Sequence, residues 1–182
     1  MVTAQLYWKI KKQLPKLQSK EQRNFITTAA EAAYSSLNKL DLKQPFHAEV
    51  YLNANNGSDI SFDINSNSSG LGYAFALALE WRKQLEKNDH YECEVFATGN
   101  IHPSGDVTAI GHLETKVQAA CNFMMKQHKE SEDKKPFIIF FPADNEEAIT
   151  PEIKQQVTDL GGELKPVTRL QSALTELLAD AY

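Results

Sequence analysis

The chain is poor in most features that would assign it to a class of protein at once. Only two of its 182 residues are cysteines, Cys93 and Cys121. One possible pair makes no disulfide framework, and neither residue stands in a zinc-type spacing. Both sit among apolar residues, which predicts buried free thiols and a reducing, cytoplasmic setting. No run approaches the length of a membrane-spanning helix. Met1–Tyr7 is too short for a secretory leader and is followed by Lys9, Lys11 and Lys12. Positive charge is not in excess either: 19 Lys and Arg stand against 24 Asp and Glu, a net charge of −5. The two signs are interspersed, which argues against nucleic acid or an anionic membrane as the main partner.

Familiar chemical signatures are missing as well. There is no G-x-x-x-x-G-K-[ST] and no G-x-G-x-x-G, so nucleotide binding by this chain has no support. The G-x-S-x-G elbow of the α/β-hydrolases is absent. His47, His90, His102, His112 and His128 are scattered, with no H-E-x-x-H and no Cys/His cluster. No metal and no cofactor is therefore expected. A Ser-His-Asp triad can be assembled only on paper, since no spacing points to one.

What is present is an ordinary globular composition, 42% hydrophobic and 24% charged, in a length that suits one domain with a real core. Residues 1–20 are mixed and basic, Pro15 breaks any helix there, and they read as an extension to a domain over 21–182. From Asn24 to Leu40 the apolar residues Ile26, Ala30, Ala33, Leu37 and Leu40 recur at helical spacing. "HAEVYLN" (47–53) and "DISFDI" (59–64) alternate around "NANNG", which predicts a hairpin. "INSNSSGLGYAFALALEW" (64–81) then turns from a polar run through Gly70 into an Ala- and Leu-rich helix. "YECEVFATG" (91–99) and "VTAIG" (107–111) read as strands. His112 to about His128 reads as a helix with Leu113, Val117, Ala120 and Met124 on one face. "PFIIFFP" (136–142) is an unbroken apolar run, the mark of a strand buried on both faces. A helix starts at Pro151 and ends before Gly161–Gly162, "ELKPV" is a short strand, and Thr168 is expected to cap a last helix to Leu178. Alternating strands and helices in the second half predict an α/β fold.

Two residues have the surroundings for chemistry. Ser68 stands at the mouth of a helix, where backbone N–H groups and the helix dipole can stabilise an oxyanion. Gly70 beside it lets a substrate come close. The plainer reading of Ser68 is a helix-capping serine in a polar loop. Lys116 falls in the first or second turn of the helix opened by "GHLE" and borders its apolar face. Both surroundings disfavour a charged ammonium, and a neutral amine can serve as general base towards a serine. The plainer reading of Lys116 is a surface lysine whose stem covers the edge of the core.

Taken together, these segments resemble the proteolytic domain of Lon proteases, the serine–lysine peptidase family. That family opens an Ala-rich helix with "D-G-P-S-A-G"; here "NSNSSGLGYAFALAL" stands in that place and Ser68 matches the nucleophile. The family's "T-G-E-I", a turn and "L-P-I-G-G-L-K-E-K-L-L-A-A" are matched by "ATGNIHPSGDVTAIGHLETKVQAA" (97–120). Lys116 there falls on the catalytic lysine. "FIIFFPADNEEAI" (137–149) is similar to the next family strand, "V-I-I-P-K-D-N-E-K-D-L". The resemblance runs from about residue 24 to 178.

It departs in places: Asn65 replaces the family's Asp, Ser66-Asn67 replace Gly-Pro, and Gly111-His112 replace Gly-Gly. What the resemblance implies is a Lon-type α/β domain of mixed sheets with packed helices. It would be a serine endopeptidase with a Ser68–Lys116 dyad, supported by Thr98, Ser69 and Gly70. Thr98 would orient the lysine amine, or be no more than a satisfied strand-end hydroxyl. The implied partners are a polypeptide substrate, further copies of the chain in a hexameric ring, and an ATPase module in the same or another chain. A different class, a non-catalytic Lon-fold module for assembly or binding, is the alternative.

Overall fold

The unbroken apolar run at the middle of the second half builds the centre of the sheet. β4 (Phe137–Pro142) lies between β1 (Glu94–Ala97) and β5 (Gly162–Val167) and runs parallel to both. Here and below, the computed structural model describes residues 28–33, 35–36, 67–86, 93–131 and 134–179. Ile139 is level with Phe96 on one side and Leu164 on the other. Side chains on a strand alternate between faces, and β4 uses both. Phe137, Ile139 and Phe141 enter a core built with α2 (Leu113–Glu130) and α3 (Pro151–Asp159). Phe140 enters a second core with α1 (Gly70–Glu86), α4 (Leu170–Ala179) and the helical residues 28–33. Phe75 of α1 stacks on Phe140 with ring centroids 4.7 Å apart. The molecule is therefore α/β, with a parallel three-stranded sheet and packed helices among the described residues.

Helical spacing places the buried faces. In α2, Leu113, Val117, Ala120, Cys121 and Met124 are buried. They are separated by four, three, one and three residues, one face of a 3.6-residue period. Each of the larger side chains contributes about 1.5–3 kcal/mol by burial. α3 begins as its sequence suggests: Pro151 occupies the first turn and the Thr150 hydroxyl accepts the Ile153 N–H at 3.4 Å. The left-handed Gly161 (φ 75°) follows its end.

β2 (Asn100–Ile101) and β3 (Val107–Thr108), which follow β1 in the chain, form a small antiparallel pair. Their turn needs a glycine at Gly105: φ is +87°, and a Cβ there would lie 2.7 Å from Ser36 Oγ. Two expectations are corrected here. The strand read over 107–111 stops at Thr108, because Ile110 takes its hydrogen bonds from the Asn145 side chain instead of a strand. Thr168 does not cap the last helix, which starts at Leu170. Its carbonyl accepts the Val107 N–H at 2.8 Å, and Arg169 forms a β-bridge with Asp106. These pairings hold 168–169 outside the helix. The expected helix over 24–40 is seen at 28–33 and 35–36; the hairpin over 47–64 and the extension over 1–20 lie outside the described residues.

The two cysteines are not joined in a disulfide; Cys121 is buried and Cys93 half-buried. Among the described residues no helix is long and apolar enough to cross a membrane.

Candidate active site

The start of α1 is tied to the carboxyl end of β1 by a set of short backbone contacts. The Ser68 carbonyl accepts the Gly99 N–H at 2.8 Å, and the Gly99 carbonyl accepts the Leu71 N–H at 2.9 Å. The Thr98 hydroxyl donates to the same Ser68 carbonyl at 3.0 Å. Thr98 is itself fixed to the sheet, its N–H donating to Phe140 O at 3.0 Å. Residues 67–69 form a single 3-10 turn that leads directly into α1. The segment "NSSG" thus folds as a tight turn held on the sheet, with Ser68 and Ser69 half-buried and Gly70 buried.

α1 comes unusually close to the strand at Gly72. A Cβ at this position would stand 2.9 Å from the Ala97 carbonyl oxygen. Only a residue without a side chain permits this approach, and it brings the serine turn against the last residues of β1.

Lys116 arrives from the other side of β1. It lies in the first turn of α2, half-buried, with its N–H directed to the His112 carbonyl at 3.4 Å. Its Nζ donates to the Gly111 carbonyl at 2.6 Å. His112 precedes the helix in the left-handed region (φ 55°, ψ 42°), with no side-chain cap. Glycine would meet this conformation without strain; the histidine holds it at a cost. In the described residues it is the one non-glycine with positive φ.

Ser68, Ser69, Thr98 and Lys116 all line one cavity of about 590 Å³. Its walls are otherwise apolar: Tyr73 and Leu79 from α1, Val95 and Phe96 from β1, and Phe123 from α2 are among them. Burial pushes the Tyr73 phenol above its ordinary range, so it stays protonated at neutral pH. Phe96 packs edge-on to Phe123, also in the wall, and to Phe137, each at 5.9 Å between centroids. A cavity beside the carboxyl end of β1, with a few polar side chains among apolar walls, has the make-up of a ligand site.

Of the residues singled out in the sequence, four line the cavity and Gly70 supports the turn behind them. The Thr98 hydroxyl donates its proton to the Ser68 carbonyl, as the plainer expectation of a satisfied strand-end hydroxyl has it. Asn145 was missed. Its side chain pairs with Ile110 across 35 residues, a contact that leaves no periodic signal. Among the described residues no group of His, Cys, Asp and Glu is arranged to hold a metal ion. No protein-family model matches the chain, and no curated protein matches it.

Proposed function

We propose that the chain is a Lon-type serine endopeptidase in which Ser68 is the nucleophile and Lys116 the general base. One observation carries the reading: a serine at a helix mouth, a lysine from the first turn of another helix and a strand-end threonine line the same cavity, though they are far apart in sequence. In the proposed reaction the neutral Lys116 amine accepts the Ser68 hydroxyl proton as Oγ attacks the peptide carbonyl carbon. Backbone N–H groups at the start of α1, with the helix dipole, stabilise the oxyanion. Collapse breaks the C–N bond, and the departing amine takes the proton from Lys116. A water molecule, deprotonated by Lys116, then attacks the ester carbon; the C–Oγ bond breaks and Ser68 Oγ takes the proton back from Lys116, which frees the acid product and restores both residues. The Thr98 hydroxyl keeps the Ser68 main chain in register with the sheet.

The same reading assigns residues 21–182 to the proteolytic domain and makes the substrate a polypeptide. It further proposes a ring-forming, cytoplasmic protein served by an ATPase module in the same or another chain. Hydrolysis of casein or a short peptide by the wild type and by Ser68→Ala is the test. Cleavage that disappears in the variant supports the proposal; equal rates in the two remove Ser68 from the mechanism. A second reading is a non-catalytic Lon-fold assembly module, in which the contact of the Lys116 amine with the Gly111 carbonyl serves only to close the start of its own helix.

A further inference from the structure

Asn145 stands in the 3-10 turn Ala143–Ala148 that follows β4. The proposed chemistry does not use it. Yet its carboxamide meets both backbone groups of one residue in a distant segment. Oδ1 accepts the Ile110 N–H at 2.8 Å, and Nδ2 donates to the Ile110 carbonyl at 3.0 Å. The side chain does for one residue what a neighbouring strand would do.

The next residue, Gly111, supplies the carbonyl that accepts Lys116 Nζ at 2.6 Å. Gly111 is exposed, and nothing lies within 4 Å of where its Cβ would be. After it comes His112 in a strained left-handed conformation, without a side-chain cap. The turn that carries the lysine's acceptor is thus held upstream by the Asn145 amide rather than by packing around Gly111.

From this geometry we infer that Asn145 is a positioning residue for Lys116: by clamping Ile110 it fixes the Gly111 carbonyl, and through that carbonyl the lysine amine. Its catalytic consequence rests on the peptidase reading proposed above. A carbonyl oxygen only accepts, so it takes one N–H of the amine. A neutral amine held in this way keeps its lone pair for the Ser68 proton. Lysine has a flexible four-carbon stem, and without a fixed acceptor the amine wanders. Misplacement of a catalytic group by about 1 Å can cost about 100-fold in rate.

The test compares the wild type with Asn145→Ala and Asn145→Asp. Ala removes both contacts; Asp keeps an acceptor for the Ile110 N–H and loses the donor. Trace acetylation of all lysines, read by mass spectrometry, gives the reactivity of Lys116 relative to Lys126, an exposed lysine on the same helix. All proteins are compared well below their melting temperatures, so that only folded molecules are read. The Lys116-to-Lys126 ratio should rise severalfold in Asn145→Ala and less in Asn145→Asp. With a peptide substrate, kcat should fall about 10-fold or more in Asn145→Ala while KM stays within about twofold, and Asn145→Asp should lie between. An unchanged Lys116 reactivity ratio in folded Asn145→Ala overturns the inference. If the wild type cleaves no peptide, the peptidase reading falls by itself, and the reactivity ratio still decides whether Asn145 positions the amine.

Discussion

At the scale of single residues, hydrogen bonds and backbone strain around the cavity set what substitution will do. Thr98→Val removes a hydroxyl that ties the Ser68 carbonyl to the sheet. It should lower stability by about 1 kcal/mol, measured by denaturant titration, and lower peptide hydrolysis because the main chain of the proposed nucleophile is loosened. His112 is a different case. Its left-handed backbone costs a non-glycine residue about 1–2 kcal/mol, while glycine costs about 0.5–1 kcal/mol in chain entropy. His112→Gly should therefore raise stability by about 0.5–1 kcal/mol, read as a higher denaturant midpoint at unchanged slope. His112→Val should lower it. Burial pushes the Cys121 thiol upward, its own backbone hydrogen bond opposing this only in part. Alkylating reagents should label Cys121 only after unfolding.

Which residues meet at the cavity was partly legible in the sequence. "NSSG" before an Ala-rich helix and "GHLETK" opening another are local patterns, and each stays local in the fold. Asn145 was not legible, because an amide that replaces a strand partner has no period and no fixed spacing from the residue it serves. The Thr98 hydroxyl was placed at the right end of the right strand, but its partner depends on where the serine turn lies, and that is set by tertiary packing.

At the scale of elements, two contacts set the geometry. The first is the approach of α1 to β1 at Gly72. A methyl group there would meet the Ala97 carbonyl oxygen at 2.9 Å, and backbone cannot give way cheaply. Overpacking of this kind costs about 1–3 kcal/mol, and alanine returns about 1 kcal/mol in helix propensity. Gly72→Ala should lose up to about 2 kcal/mol net and shift the Ser68 turn away from the strand. A melting temperature above that of the wild type would contradict this. The second contact joins β5 to α4. Lys165 Nζ lies 2.7 Å from Glu176 Oε1 and 3.1 Å from Glu163 Oε2. Hydrogen bonding to Glu176, then to Glu163, raises the lysine above its ordinary value. A raised folded-state value means that this stabilisation is fully present below the unfolded lysine's value and is lost as pH rises through the folded one. The pairs are partly exposed and contribute at most about 1 kcal/mol. Glu176→Gln should flatten the alkaline loss of stability, followed by thermal melts from neutral to strongly alkaline pH.

Element existence was readable wherever one periodicity ruled. The apolar run became β4, and the spacing of Leu113, Val117 and Met124 became the buried face of α2. Boundaries failed where long-range pairing took over. β3 ends at Thr108 because Asn145 occupies Ile110, and α4 starts at Leu170 because 168–169 pair with the β2–β3 turn segment.

At the scale of the whole molecule, an α/β sheet was expected from the alternation of strands and helices, and the described residues form one. Its parallel order β1-β4-β5 was not foreseen, since pairing order is decided by contacts between segments and not within them. The order matters for function. β1 stands at one end of that order, with the helix bearing the serine turn on one face and the helix bearing the lysine on the other. This arrangement lets two distant segments share a cavity. The proposed ring assembly belongs to this scale as well: light scattering across a concentration series should show self-association, and a monomer at every concentration would count against it.

The central claim, that Ser68 and Lys116 act together, is tested most directly by cleavage of a short fluorogenic peptide that needs no unfolding. The wild type would be measured beside Lys116→Arg, with Ser68→Ala as the blank. Arginine keeps the positive charge and most of the length of lysine, but its guanidinium remains protonated and cannot accept the serine proton. The account predicts measurable turnover by the wild type, and rates for Lys116→Arg that fall to those of Ser68→Ala. Turnover by Lys116→Arg at the wild-type rate would show that Lys116 is not the base, and no turnover by any of the three would leave the non-catalytic assembly module as the reading of this fold.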